Sequence, residues 1–367
     1  MQHSGFCIKA DNLKVGYEKK IIVDDIGFEV SSGEITTIIG PNGAGKSTIL
    51  KTITKQLELM GGKITICDKD MQSMSFSDIA KKMSMVMTKR PHTELMTCFE
   101  VASTGRYPYT GRMGVLSKED RDKVKEALRY TGALELADSD FNKISDGQKQ
   151  RVMLARAICQ DTDVIIMDEP VSFLDIKYKI DILDNIRDLA RKKGIAIIMT
   201  LHELELARQI SDKVICVGGG RVDKIGCVEE IFDGDYINRL YEIDERSFDS
   251  ITCNMMLPLK EDSAQVFVIA GGMESVNVIY RLARQGRAFY AGIISENDVA
   301  FRTAKAMAKE VVVTKAYYPI EESHINAAKK LIDGCTYYLC AVDEFGPYNS
   351  ANKELLQYAI DTGKKKL

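Results

Sequence analysis

At 367 residues, with 45% apolar and 28% charged residues, the chain is long enough for two separately packed domains and too ordinary in composition for a disordered or fibrous protein. A formal net charge of -3 supplies no basic excess to hold a nucleic-acid backbone, and no arginine-rich or aromatic-interleaved run occurs, so no nucleic-acid partner is expected. Nine cysteines without a CxxC pair predict reduced thiols, and an N-terminus with no basic start before an apolar core predicts a cytoplasmic setting. No apolar run approaches the roughly 18 residues that span a bilayer, so membrane contact is expected only through a partner.

Residues 1 to about 235 read as one α/β unit. Short apolar runs, Ile35 to Ile39, Val164 to Met167 and Ile195 to Met199, alternate with helical patterns as buried parallel strands do. The first run passes directly into Gly40-Pro41-Asn42-Gly43-Ala44-Gly45-Lys46-Ser47-Thr48, a GxxxxGK[ST] loop in the strand-to-helix setting that gives the pattern its meaning. Glycines 40, 43 and 45 let successive N–H groups turn toward phosphates, and the following helix adds the field of its N-terminus. Lys46 is expected to bridge the phosphates of ATP, and Ser47 to offer a hydroxyl to Mg²⁺. Asn42 and Thr48 complete the nucleotide-contacting stretch.

Six methionines lie between Met71 and Met96, as core filling or as an adaptable docking surface. Thr104-Gly105-Arg106-Tyr107-Pro108-Tyr109 follows, readable on its own as a surface turn. Next comes Ser145-Asp146-Gly147-Gln148, opening a helix that runs from Lys149 to Cys159. Val164 to Met167 then ends in Asp168-Glu169-Pro170. A carboxylate at a strand end beside a phosphate loop suits Mg²⁺, the role expected of Asp168, while Glu169 is placed to act as general base on the attacking water. His202, at the end of the strand Gly194 to Thr200, is expected near the γ-phosphate.

A polar stretch places a linker at roughly 236–262. Four strand-then-helix repeats follow: Val266 to Ala270 into Val276 to Gln285, Phe289 to Ile294 into Phe301 to Lys309, Val311 to Val313 into Glu321 to Ile332, and Tyr337 to Val342 into Ser350 to Asp361. They predict a small Rossmann-like parallel sheet with helices on both faces over 263–367. Gly271-Gly272, Ser295, Asn297, Asp298, Asp343 and Asn349 fall at its strand ends. They could line a pocket for a small-molecule regulator, and a purely bracing domain stays open beside that. The terminal Lys364-Lys365-Lys366 reads as a solvated, frayed end.

The loop, Ser145-Asp146-Gly147-Gln148 and the acidic pair, in this order along the chain, resemble the ATP-binding subunit of ABC transporters over about the first 235 residues, with a helical subdomain at about 85–160. The resemblance implies that Tyr17, in Val15-Gly16-Tyr17, stacks on adenine. It implies that Ser172-Phe173-Leu174-Asp175 signals across a dimer and that His202 is a switch histidine. By the same resemblance Ser145, Gly147 and Gln148 reach the γ-phosphate of ATP held by a second subunit, which makes the active species a head-to-tail homodimer. Thr104 to Tyr109 is similar to a segment of the importers of iron-siderophore, haem and cobalamin, implying permease subunits and an external substrate-binding protein as partners. A soluble regulator that dimerises on ATP without transport, and an exporter subunit, are the alternatives.

Two positions depart from the family pattern. Asp146 replaces the first glycine of the signature, where the backbone donors of Ser145 and Gly147 can still act. Thr88 stands where the family spacing places a glutamine facing Mg²⁺ and the attacking water, which implies slowed turnover. Thr88→Gln is therefore expected to raise the ATPase rate of the assembled transporter; an unchanged rate refutes this.

Overall fold

A computed structural model of the chain describes residues 6–87, 95–111, 114–259 and 263–367. Thr88 lies outside the described residues. The chain divides into two compact units, Met1–Tyr241 and Glu242–Leu367.

In chain order the first unit contains β1 (Phe6–Tyr17), β2 (Lys20–Ser31), β3 (Ile35–Ile39), α1 (Lys46–Ile53), β4 (Gly61–Ile66), β5 (Lys69–Asp70), α2 (Phe76–Ala80), β6 (Met83–Val86), α3 (Cys98–Ser103), α4 (Lys118–Tyr130), α5 (Asp146–Cys159), β7 (Val164–Asp168), α6 (Ile176–Lys193), β8 (Ala196–Thr200), α7 (Leu204–Ile210), β9 (Lys213–Gly218), β10 (Arg221–Cys227), α8 (Val228–Ile231) and α9 (Tyr236–Leu240). Its ten strands form one sheet in the order β5-β4-β1-β2-β10-β9-β3-β8-β7-β6. The half from β9 to β6 is parallel. Every residue of β3 and β8 is buried, which is why these strands read as largely apolar runs broken only by Thr36, Thr37 and Thr200. The half containing β1, β2, β4 and β5 is antiparallel, and no apolar run announced it. There one face packs on the core, so β1 and β2 mix buried with exposed residues instead of showing a block. β10 joins the halves, antiparallel to β9 and paired with β2 at Arg221 and Asp24.

The second unit opens with a small hairpin, β11 (Phe248–Asp249) and β12 (Asn254–Met255), followed by β13 (Val266–Ile269), α10 (Gly272–Arg284), β14 (Phe289–Ser295), α11 (Phe301–Met307), β15 (Val311–Thr314), α12 (Glu322–Asp333), β16 (Tyr337–Cys340), α13 (Ser350–Asp361) and β17 (Lys365–Lys366). The five strands from β13 onward are parallel in the order β15-β14-β13-β16-β17. One face is covered by α10 and α11 through Val278, Ile279, Leu282, Ala304 and Met307, the other by α12 and α13 through Ala328, Ile332, Leu355 and Ala359.

Two readings of the sequence are corrected here. The stretch 236–262 is not a free linker: Ile237 and Leu240 of α9 are buried in the first unit, and Met256 joins the core of the second. The lysine tail is not frayed, because Lys365 and Lys366 pair with Tyr337 and Tyr338 as an edge strand. The strand-end residues of the second unit cap one another. Asp298 accepts the Gly272 N–H at 3.0 Å, Ser295 donates to Asn297, and Asn349 accepts from Gly346. The Asp298 carboxylate thus occupies the start of α10, where a ligand phosphate would bind. A hollow of about 630 Å³ lies elsewhere, beside Glu274, Tyr280 and Arg284 of α10.

Between β6 and β7 the chain makes a helical subdomain that carries the signature. Capping boxes start α3, α4 and α5, pairing Thr97 with Glu100, Ser117 with Asp120 and Ser145 with Gln148. Residues Thr104–Tyr109 form a 3₁₀ helix in which Arg106 is 3% exposed. Its Nε donates to Asp120 Oδ1 at 2.8 Å, its Nη1 donates to the Cys159 carbonyl at 2.8 Å, and the guanidinium sits 4.0 Å from the Tyr109 ring. Gly105 is needed beside it, since a Cβ there would lie 2.1 Å from the Arg156 carbonyl oxygen. The segment is therefore a clamp joining α3, α4 and the end of α5, not a surface turn. Arg106→Ala leaves Asp120 buried without its partner and is expected to destabilise the first unit by about 3–5 kcal/mol in urea titration; a loss under about 1 kcal/mol would refute the clamp.

Candidate active site

Three adjacent strands end at one edge of the parallel sheet. Thr200 of β8 is in register with Ile38 of β3 on one side and Asp168 of β7 on the other, so Gly40, Asp168 and His202 emerge side by side. This edge, the carboxyl end of a parallel sheet, is where such folds gather their ligands.

The loop 40–48 turns sharply enough that a side chain is excluded at Gly40 and at Gly45. Gly45 has φ 102, and a Cβ would lie 2.3 Å from Val23 Cγ2. Gly40 and Gly43 also have positive φ, 148 and 81. Lys46 is 6% exposed, and its Nζ donates to the carbonyls of Gly40 at 2.7 Å and Pro41 at 3.0 Å. Burial lowers its pKa, opposed by the negative charges of Glu169 and Asp168. Ser47 Oγ donates to Asp168 Oδ1 at 3.1 Å. Thr48 Oγ1 is 3.4 Å from the hydroxyl of Tyr17, whose ring is 44% exposed and free to meet a planar ligand.

Thr200, not singled out from the sequence, organises the acidic pair. Its hydroxyl donates to Asp168 Oδ1 at 2.8 Å and accepts the Glu169 N–H at 2.9 Å. The only sequence signal was a hydroxyl at the last position of an otherwise apolar strand. Glu169 has φ 51, a left-handed conformation costing about 1 kcal/mol for a residue with a Cβ. Its Oε2 accepts from Ser172 Oγ at 3.0 Å, and its Oε1 lies 2.5 Å from His202 Nε2. An ionised carboxylate only accepts, so that ring nitrogen carries the proton. Fixed at both oxygens and at its backbone, Glu169 is held at the strand end beside Lys46 and Asp168, an arrangement suited to taking a proton from water.

The signature stands apart from this cluster. Ser145 and Gln148 bond to each other: the Ser145 N–H donates to Gln148 Oε1 at 2.9 Å, and its Oγ accepts the Gln148 N–H. This is the S-x-x-Q capping box, legible in the sequence as a helix start. Gly147 is buried against Tyr178, where a Cβ would lie 2.8 Å from the ring. Tyr178 in turn donates its N–H to Asp175, the cap of α6, so the helix that follows residues 172–175 touches the signature within one chain. Phe173 is 87% exposed.

The family described as ABC transporter matches residues 23–172, and a second family, MJ0874, matches 289–367. The uncharacterized ABC transporter ATP-binding protein MJ0873 of Methanocaldococcus jannaschii is 38% identical over 280 residues, 76% of this chain and 96% of that protein. The chain belongs to the ABC transporter ATP-binding proteins. The iron(3+)-hydroxamate import ATP-binding protein FhuC of Bacillus subtilis is 35% identical over 65% of this chain and 88% of its own length. A solved structure of the ATP-binding subunit of an ABC transporter superposes with TM-score 0.55 at 26% identity, covering 61% of this chain and 91% of that one. As an ABC ATPase the chain binds and hydrolyses ATP. Glu169→Gln keeps the Ser172 and His202 neighbours while removing the charge. It is expected to retain ATP binding, slow hydrolysis by at least about 10²-fold and accumulate a dimer in size exclusion; full turnover would rule out Glu169 as base.

Proposed function

We propose that this ABC ATPase energises an importer, driving uptake of an iron complex (siderophore or haem) or cobalamin through membrane permease subunits fed by an external substrate-binding protein. The observation that carries this reading is a groove of about 420 Å³ between the ATP-binding core and the helical subdomain, lined by Phe76, Met83, Met85, Met87, Tyr107 and Pro108. Phe76 is 71% exposed and Tyr107 60%, while Met71 and Met74 are buried in the core. The methionines therefore divide: Met71, Met74 and Met83 fill the interior, and half-buried Met85 and Met87 line a surface that adapts to an apolar helix. The groove joins the importer-like segment 104–109 to the strand leading to Thr88, and it suits a cytoplasmic helix of a permease. Among the described residues no helix is long and apolar enough to cross a membrane, so such a partner supplies the attachment to its inner face.

At the nucleotide, Lys46 would exchange its loop carbonyls for phosphate oxygens and Tyr17 would stack on the base. Ser47 Oγ and Asp168 Oδ1, 3.1 Å apart, form an all-oxygen donor pair that fits Mg²⁺. When bound, Mg²⁺ neutralises charge on the phosphates. Glu169, steadied by His202 and Ser172, would accept the proton of the attacking water. Each chain carries one phosphate loop and one signature, so the N-terminus of α5, with Ser145 and Gly147, would complete the site of a second chain in a head-to-tail dimer. ATP then favours the closed pair and hydrolysis releases it. The second unit would brace or regulate this cycle; with Asp298 already on the α10 amide, an anionic regulator at that end must displace a carboxylate.

Affinity purification from detergent-solubilised native membranes is expected to recover a polytopic protein with the wild type. Met85→Lys is expected to lose it while the subunit alone keeps its ATPase rate within about twofold, Met85 lying outside the phosphate loop and the acidic pair. Recovery of no membrane protein would favour a regulator that dimerises without transport.

A further inference from the structure

Gly40 is the first residue beyond the ladder between β3 and β9, which ends where Ile39 faces Cys216. Its backbone is buried, and its N–H donates to the hydroxyl of Tyr241 at 3.1 Å. A buried amide needs an acceptor, and past the end of the ladder this side chain provides it. The carbonyl of the same residue accepts from Lys46 Nζ at 2.7 Å. Gly40 is thus gripped twice, by a hydroxyl on its amide and an ammonium on its carbonyl. It also packs so closely on β9 that a Cβ would lie 2.0 Å from the Val217 carbonyl oxygen.

Tyr241 directly follows α9, which is anchored by buried Ile237 and Leu240. Burial pushes its hydroxyl up to about 12, so it stays neutral through the working range. The chain enters the second unit at the next residue, Glu242.

We propose that Tyr241 is a positioning residue of the phosphate loop. By fixing Gly40 it holds the carbonyl that Lys46 leaves when phosphate oxygens take the ammonium, and so it sets the affinity for ATP. The same bond ties the exit of the ATPase unit to its nucleotide loop. This rests on the reading of 40–48 as the ATP-binding loop.

The test compares full-length wild type, Tyr241→Phe, Leu240→Ala and Lys46→Ala by binding of a fluorescent ATP analogue, ATPase kinetics and thermal unfolding without nucleotide. Tyr241→Phe keeps the ring and orphans the Gly40 amide. It is expected to raise Kd and KM for ATP about fivefold to tenfold, with kcat within about twofold and a fall in Tm no larger than that of Leu240→Ala. Leu240→Ala, which loosens α9 without removing the hydroxyl, is expected to lower Tm and leave KM in place. Unchanged Kd in Tyr241→Phe, or an equal rise in Leu240→Ala, overturns the proposal. Undiminished binding in Lys46→Ala overturns instead the reading of the loop itself.

Discussion

The site depends above all on the in-register parallel pairing of three buried strands. Because Ile38, Thr200 and Asp168 share one level of the sheet, three loops distant in sequence leave it within hydrogen-bonding reach of one another. Backbone ladders between fully buried strands set that level, and a slip by one residue would turn Asp168 into the apolar interior. Ser47, Thr200, Glu169 and His202 then converge by short hydrogen bonds without any long connection having to close over them.

The site is a chain of mutual constraints. Thr200 holds Asp168 through its side chain and Glu169 through its backbone. Ser172 and His202 hold the two oxygens of Glu169. The left-handed backbone at Glu169 is affordable only inside such a frame, since several bonds fix it from both sides. Lys46 shows the complementary situation: buried and, among the described residues, bonded to neutral carbonyls, its ammonium gains when phosphate charge arrives. The acidic pair is finished in advance, while the phosphate loop keeps a cation waiting for an anion.

The helical subdomain is held together by a buried polar clamp and meets the core where Tyr178 packs on the signature glycine. Arg106 bridges α4 and the end of α5, and Tyr178 lies between the cap of α6 and the signature glycine. The second unit shows a different logic. Its loops close on one another, with Asp298 on Gly272 and Asn352 bridging Ile293 and Ala270 across the strand ends.

Phosphate loop, acidic pair, signature and the four strand-helix repeats were all legible in the chain, because each is a local pattern whose geometry follows from a few consecutive residues. So were three parallel strands of the first unit, β3, β7 and β8, whose burial on both faces leaves mostly apolar sequence. The antiparallel half was not, since strands exposed on one face blend into polar sequence. Nor were the roles of isolated residues that act across long sequence distances: Thr200 on Asp168, Arg106 on Asp120 and Tyr241 on Gly40 become visible only when the fold brings the pairs together. Sequence alone determined the chemistry at the strand ends, because side-chain type dictates what can hold a phosphate or take a proton. Tertiary structure alone decided which hydroxyls and amides aim that chemistry, because such partners carry no local signature and are selected by distance in space.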